Sequence, residues 1–243
     1  MRALRAELSK LVSLPASWLA AAVGVVVSAA VTVLSAGSST PGPDTGFSSL
    51  ALGVAGAIVI GVVAMSSEYA VEGEESAGGR QITTTLTAVP SRLRVLLAKA
   101  LAVAMATAAL AVVAIAVTFG LTALLLGDRA PVLDADAIVR MGGMALYWVL
   151  VALLAFALTV LTRNGVVPMA VLIANFSAVP VTFLLTRVAD LANWLPDVAG
   201  MRMWSRGLDT SVEIAPVLGG AVMAAWVAVL LVIASVTFTR RDA

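Results

Sequence analysis

Between Leu96 and Leu126 the only charged residue is Lys99, and the apolar residues run on without alternating with polar ones. A hydrocarbon core about 30 Å thick takes roughly 20 such residues in helical form. Inside lipid every backbone N–H and C=O must be satisfied internally, which leaves helices or closed barrels. Barrel strands alternate apolar and polar positions, so this run reads as a helix. Further continuous runs give six predicted spans: 16–36, 50–67, 96–126, 141–162, 165–187 and 216–238. The whole of 1–243 therefore reads as one all-α transmembrane domain. Composition agrees. Only 12% of the residues are charged and 61% are hydrophobic, whereas a soluble domain carries about 25% charged residues.

The charges sort by side. The N-terminus, the loops after spans two and four, and the C-terminus hold Arg2, Arg5, Lys10, Arg80, Arg92, Arg94, Lys99, Arg163, Arg240 and Arg241. The other side holds Arg129, Arg140, Arg187, Arg202 and Arg206. The positive-inside rule makes the richer side cytoplasmic, with both termini inside a cytoplasmic membrane. The first apolar run exceeds the 7–15 residues of a signal-peptide core, so it is expected to stay as an anchor.

Three segments are not spans. In residues 2–14, Leu4, Leu8, Leu11 and Val12 fall on one helical face, with Arg5, Glu7, Ser9 and Lys10 expected away from it. That pattern suits a short helix in the membrane interface, ended by Pro15. Residues 188–215 mix Trp194, Pro196, Met201, Met203 and Trp204 with Asp190, Asp197, Arg202 and Arg206. Aromatics among charges belong at the bilayer surface; the segment is either an external re-entrant pair of short helices or a loop with a tryptophan anchor.

The third segment, 68–95, opens with an acidic, glycine-rich linker containing Glu68, Gly78 and Gly79. Glycines break regular structure there. Residues 80–88 permit a short helix, and Pro90 turns the chain before Arg92, Arg94 and Lys99. Ile82, Leu86 and Val89 offer an apolar knob to a soluble partner.

Several chemistries are excluded. Without cysteine or histidine there is no disulfide, no cysteine or histidine catalysis and none of the common zinc sites. Glu74, Glu75 and Arg80 lack the spacing and the histidines of prenyl-protein proteases. No Gly-x-x-x-x-Gly-Lys-Ser/Thr phosphate loop occurs. No ionisable residue lies near the middle of a span, which weighs against an ion-coupled carrier, although broken helices also bind ions through backbone carbonyls. Asn175 and Ser177 lie mid-way along span five between Pro168 and Pro180. Asn175 either faces a transport path or bonds a neighbouring helix.

The arrangement resembles the permease subunits of type-two ATP-binding-cassette exporters. The residues that carry the resemblance are Glu68, Gly79, Thr84, Leu86, Pro90, Ser91, Arg92 and Lys99, set between spans two and three. The resemblance implies an N-terminal elbow helix and six spans. It also implies a cytoplasmic coupling helix at 80–90 and a re-entrant external segment before span six. Arg80, Gln81, Ile82, Thr84, Leu86, Pro90 and Arg92 would meet a separate nucleotide-binding ATPase subunit. ATP and magnesium would sit on that subunit, so this chain would be no enzyme and bind no cofactor. A second copy or sister permease and membrane lipids would be the other partners, with no nucleic acid. Gly53, Gly56 and Gly61 of span two would be candidates for the dimer contact. The cargo implied is a drug, lipid or antibacterial peptide. Other readings are an ion-coupled carrier and a membrane scaffold without transport.

Overall fold

The computed structural model describes residues 2–38, 40–69, 91–178 and 181–240, with the side chains of Arg2, Ser38, Ser177 and Ala178 left aside. These residues form α1 (Arg2–Ser13), α2 (Pro15–Ser38), α3 (Phe47–Tyr69), α4 (Arg92–Leu126) and α5 (Ala135–Thr162). There follow α6 (Val166–Ile173), α7 (Val181–Leu185), α8 (Pro196–Met201) and α9 (Pro216–Arg240). Among the described residues, α2, α3, α4, α5 and α9 are long and apolar enough to cross a membrane. The protein is therefore an all-helical, membrane-embedded bundle.

Local chemistry sets the helix ends. Leu14 separates α1 from α2, and Pro15 takes the first position of α2, where its missing N–H costs nothing. Ser91 caps α4 by accepting from the Arg94 N–H at 3.4 Å. Asp134 caps α5 by accepting from the Ala137 N–H at 2.8 Å. That cap places Arg140 inside α5 rather than ahead of the span. Arg163 ends α5 in the left-handed region at φ 52°.

Helices α3 and α5 form the centre and are the most enclosed of the long helices; α2, α4 and α9 expose more of their surface. Leu50, Val54 and Ile58 of α3 meet Trp148, Val151, Ala155 and Phe156 of α5 in a fully buried core. Small residues bring these backbones together. A Cβ on Gly56 would stand 2.5 Å from the Ala20 carbonyl of α2. Cβ atoms on Gly53 and Gly61 would strike Ser28 of α2 and the Ala152 carbonyl of α5. The three glycines thus serve contacts within the chain. This corrects their expected role at a dimer contact, because α2 and α5 already occupy the surface they offer.

The expected fifth span, 165–187, is not one helix. Its first part, α6, stops after eight residues and passes into a π-helical turn, Ala174–Ala178. A separate short helix, α7, follows. The π turn packs on α3, α6 packs on α3 and α5, and α7 packs on α8. Segment 188–215 contains a 3-10 turn, Asp190–Trp194, and then α8, which lies chiefly against α9. Arg80, Gln81, Ile82, Thr84, Leu86, Pro90, Gly78 and Gly79 lie outside the described residues.

Candidate functional site

The bundle has two distinct ends. At the α1 end, α1 lies across α4 and α2. Leu11 is buried, Leu4 and Leu8 are half-buried, and Val12 is 61% exposed. Glu7 takes the position in the buried face that Val12 was expected to hold, and is only 6% exposed. The reason is its partner. Lys99 of α4 donates to Glu7 Oε2 at 2.6 Å and to Glu68 Oε1 at 2.8 Å. Lys10 adds a bond to the same Glu68 oxygen at 2.9 Å.

Two carboxylates and two ammonium groups therefore neutralise one another; Glu7, Glu68 and Lys99 are buried, and Lys10 reaches in from a half-exposed position. A buried charge is tolerable only when so paired. Glu68 is 1% exposed and lies in the last turn of α3. Its expected place in a flexible linker is corrected: the helix continues through it because Lys99 and Lys10 hold its charge. The crossing from α3 to α4 therefore leaves and returns beside a locked joint. Arg92 opens α4 there and donates to the Phe238 carbonyl of α9 at 3.3 Å.

At the far end, Asp44 joins three parts of the chain. It pairs with Arg140 of α5 and accepts from Ser205 Oγ at 2.7 Å and from the Arg206 and Gly207 N–H groups at 2.9 Å. Arg140 also donates to the carbonyls of Trp204 and Pro43, both at 2.7 Å, and lies 4.1 Å over the Phe47 ring. These bonds pin 204–207 against the loop before α3. Buried Arg202 donates to Asn193 at 3.2 Å, to the Val212 carbonyl at 2.8 Å, and to Thr210. Burial pulls its guanidinium pKa down from the usual value, and Glu213 opposes that pull.

Between these ends the broken span meets α8. Asn175, in the π turn, accepts from the Thr182 N–H at 3.1 Å and so caps the start of α7. Its Nδ2 donates to Asp197 Oδ2 of α8 at 2.8 Å. Thr182 Oγ1 also bonds Asp197 and stands 3.1 Å from Asn175 Oδ1. Asp197 is 4% exposed, and Tyr147 of α5 is the titratable group facing it. The backbone of Ser177 lies in the same π turn.

Gly53, Gly56 and Gly61 are not part of this cluster. Residue-by-residue reading put Glu7 on the polar face of α1, took Asp197 as one interfacial charge among several, and passed over Asp44. Asp197 follows Pro196 in a run of small residues, a helix-start signal. Glu7 falls three residues after Leu4 and four before Leu11, on their helical face. No model of a known protein family and no curated protein matches the chain.

Proposed function

We propose that this chain is the permease subunit of a type-two ATP-binding-cassette exporter, with its α1 end in the cytoplasm. The observation that carries the reading is the joint of Glu7, Lys10, Glu68 and Lys99. It ties an amphipathic N-terminal helix to both helices that flank the 70–91 crossing. A partner that pushes on 80–90 would move α3, α4 and α1 together, because a push on one is resisted by buried ion pairs to the others. The basic residues concentrated at this end support the orientation.

ATP and magnesium act on a separate nucleotide-binding subunit. Residues 80–90 form the coupling helix that docks on it. A second copy of the chain, or a sister permease, completes the path across the cytoplasmic membrane, and the broken element 165–187, as the fifth span, brings the number of spans to six. The cargo is a drug, lipid or antibacterial peptide. A second reading, an ion-coupled carrier, draws support from one observation: a buried carboxylate, Asp197, set against an interrupted helix.

Mild-detergent purification of the tagged chain from its native cells, with ATPase assay of the eluate, separates the two. The permease reading expects an identified phosphate-loop ATPase to co-purify and to be lost on replacing Ile82 and Leu86 by alanine. A chain that purifies alone, with no ATPase activity, overturns it. Arg92 is left intact in this test because it also holds α9.

A further inference from the structure

Asp197 is a buried carboxylate whose hydrogen-bond partners are neutral. Among the described residues it forms no ion pair. The charged groups of the elements packed around it are engaged elsewhere, Asp190 of the 3-10 turn accepting from Ser211 at 2.5 Å. Arg202, at the end of α8, is engaged by Asn193, Thr210 and Val212. Arg140 of α5 is held by Asp44, Pro43 and Trp204. The only charged residue of α3 is Glu68, at the α1 end. From α5 the titratable group beside Asp197 is Tyr147, and α9 faces α8 through Met223 and two glycines. Bulk water has little access to a carboxylate that is 4% exposed, and burial without a counter-charge disfavours its ionised form.

The bonds around Asp197 are satisfied in either protonation state. When the carboxylate is ionised, Asn175 Nδ2 and the Thr182 hydroxyl both donate to it. When it is protonated, its O–H donates to Thr182 Oγ1. The Thr182 hydroxyl then rotates to donate to Asn175 Oδ1, 3.1 Å away. On protonation one proton is gained from water and no donor is left facing another donor; on ionisation the same neutral partners face an uncompensated buried charge, which favours entry of water and separation of α8 from the broken span. The three side chains belong to the π turn, α7 and α8, so the bonds also latch α8 to the broken span. Single π turns of this kind recur at functional sites.

We propose that Asp197, with Thr182 and Asn175, is a reversible proton-binding site that latches α8 to the broken span when protonated and loosens it when ionised. The proposal does not depend on the ATPase-driven reading.

The test uses the full chain in phosphatidylethanolamine–phosphatidylglycerol nanodiscs, titrated from about pH 5 to about pH 9 by difference infrared spectroscopy. The wild type is expected to lose a protonated-carboxyl band that Asp197→Asn lacks. Thr182→Val removes a charge-assisted bond to the ionised form and a weaker neutral one to the protonated form, so the net loss falls on the ionised form. This variant should keep the band and shift its midpoint upward by about one pH unit, a roughly tenfold tighter grip on the proton. Identical band changes in wild type and Asp197→Asn overturn the proposal. Should Asp197→Asn fail to fold, an unshifted midpoint in Thr182→Val overturns it equally. A midpoint that falls as sodium replaces choline at constant ionic strength assigns the site to a metal cation instead and overturns the proton assignment.

The latch is read separately. Thr186 is buried immediately after α7, one turn beyond Thr182, and the chain has no native cysteine. Thr186→Cys should react with maleimide several-fold faster above the midpoint than below it, after correction for thiolate ionisation. The same rise in an Asp197→Asn background overturns the latch.

Discussion

Glu68 and Asp197 are almost equally buried, at 1% and 4% exposure, yet their surroundings differ in kind. Glu68 sits between two ammonium groups, one of which also holds Glu7. Asp197 sits among an amide, a hydroxyl and a phenol-bearing helix. Opposite charges at short range fix a protonation state, and with it a geometry. Neutral donors that also accept leave the protonation state free to change. The α1 end is thus built as a rigid joint and the α8 contact as a responsive one. Under the proposed permease reading, force received at one end and opening at the other would use both kinds of contact.

The largest effect should come from breaking the joint. Lys99→Met strands Glu7 in a buried site, leaves Glu68 with Lys10 alone, and should cost about 3–5 kcal/mol, measured by unfolding in detergent. Adding Glu7→Gln and Glu68→Gln should restore much of that stability. At the latch, Asn175→Ala removes neutral hydrogen bonds to Asp197 and to the Thr182 N–H. The expected cost is smaller, about 1–3 kcal/mol. An equal cost at both sites would erase the distinction drawn between them.

The pH profile sharpens the contrast further. Burial raises the Asp197 carboxyl above its usual range, against the pull of Asn175 and the Val198 N–H. A carboxyl whose folded value lies above its unfolded value binds more protons in the folded state. Its stabilising contribution is complete below the unfolded value and is lost as pH rises through the folded one. Thermal unfolding should therefore occur at lower temperature as pH increases through that window, and this component should vanish in Asp197→Asn. The smallest effect is expected at Val12, exposed on the outer side of α1. Val12→Ser should change stability by under about 0.5 kcal/mol, whereas Leu11→Ser on the buried face should cost several times more.

The long spans were legible in the sequence because twenty apolar residues in a row have few alternatives in lipid. The break before α2 was legible too, since Leu14 and Pro15 interrupt the helix where the proline is placed. The fifth span was misread as continuous. Pro168 and Pro180 marked it, but hydropathy does not register a π turn, and the turn is held by Asn175 bonding forward to Thr182 and Asp197. The two buried charge sites were hidden for a related reason. Glu7 and Lys99 are 92 residues apart in the chain, and Asp197 meets Asn175 across 22. Periodicity reports which face a residue occupies, and a charge on the buried face makes sense only once its distant partner is known. The glycines of α3 were rightly singled out as close-packing residues, but which helix approaches them is a property of the assembled bundle.

The ATP-driven reading depends on which end faces the cytoplasm, where an ATPase would dock, and which faces the outside. Because the chain has no cysteine, single cysteines can be placed on the native background. Arg240→Cys marks the α1 end and Asp128→Cys the far end, both at exposed positions. Membrane-impermeant maleimide applied to intact cells should label Asp128→Cys at once and Arg240→Cys only after permeabilisation. The reverse pattern would put the joint outside, beyond the reach of any ATP-driven partner, and would contradict the account.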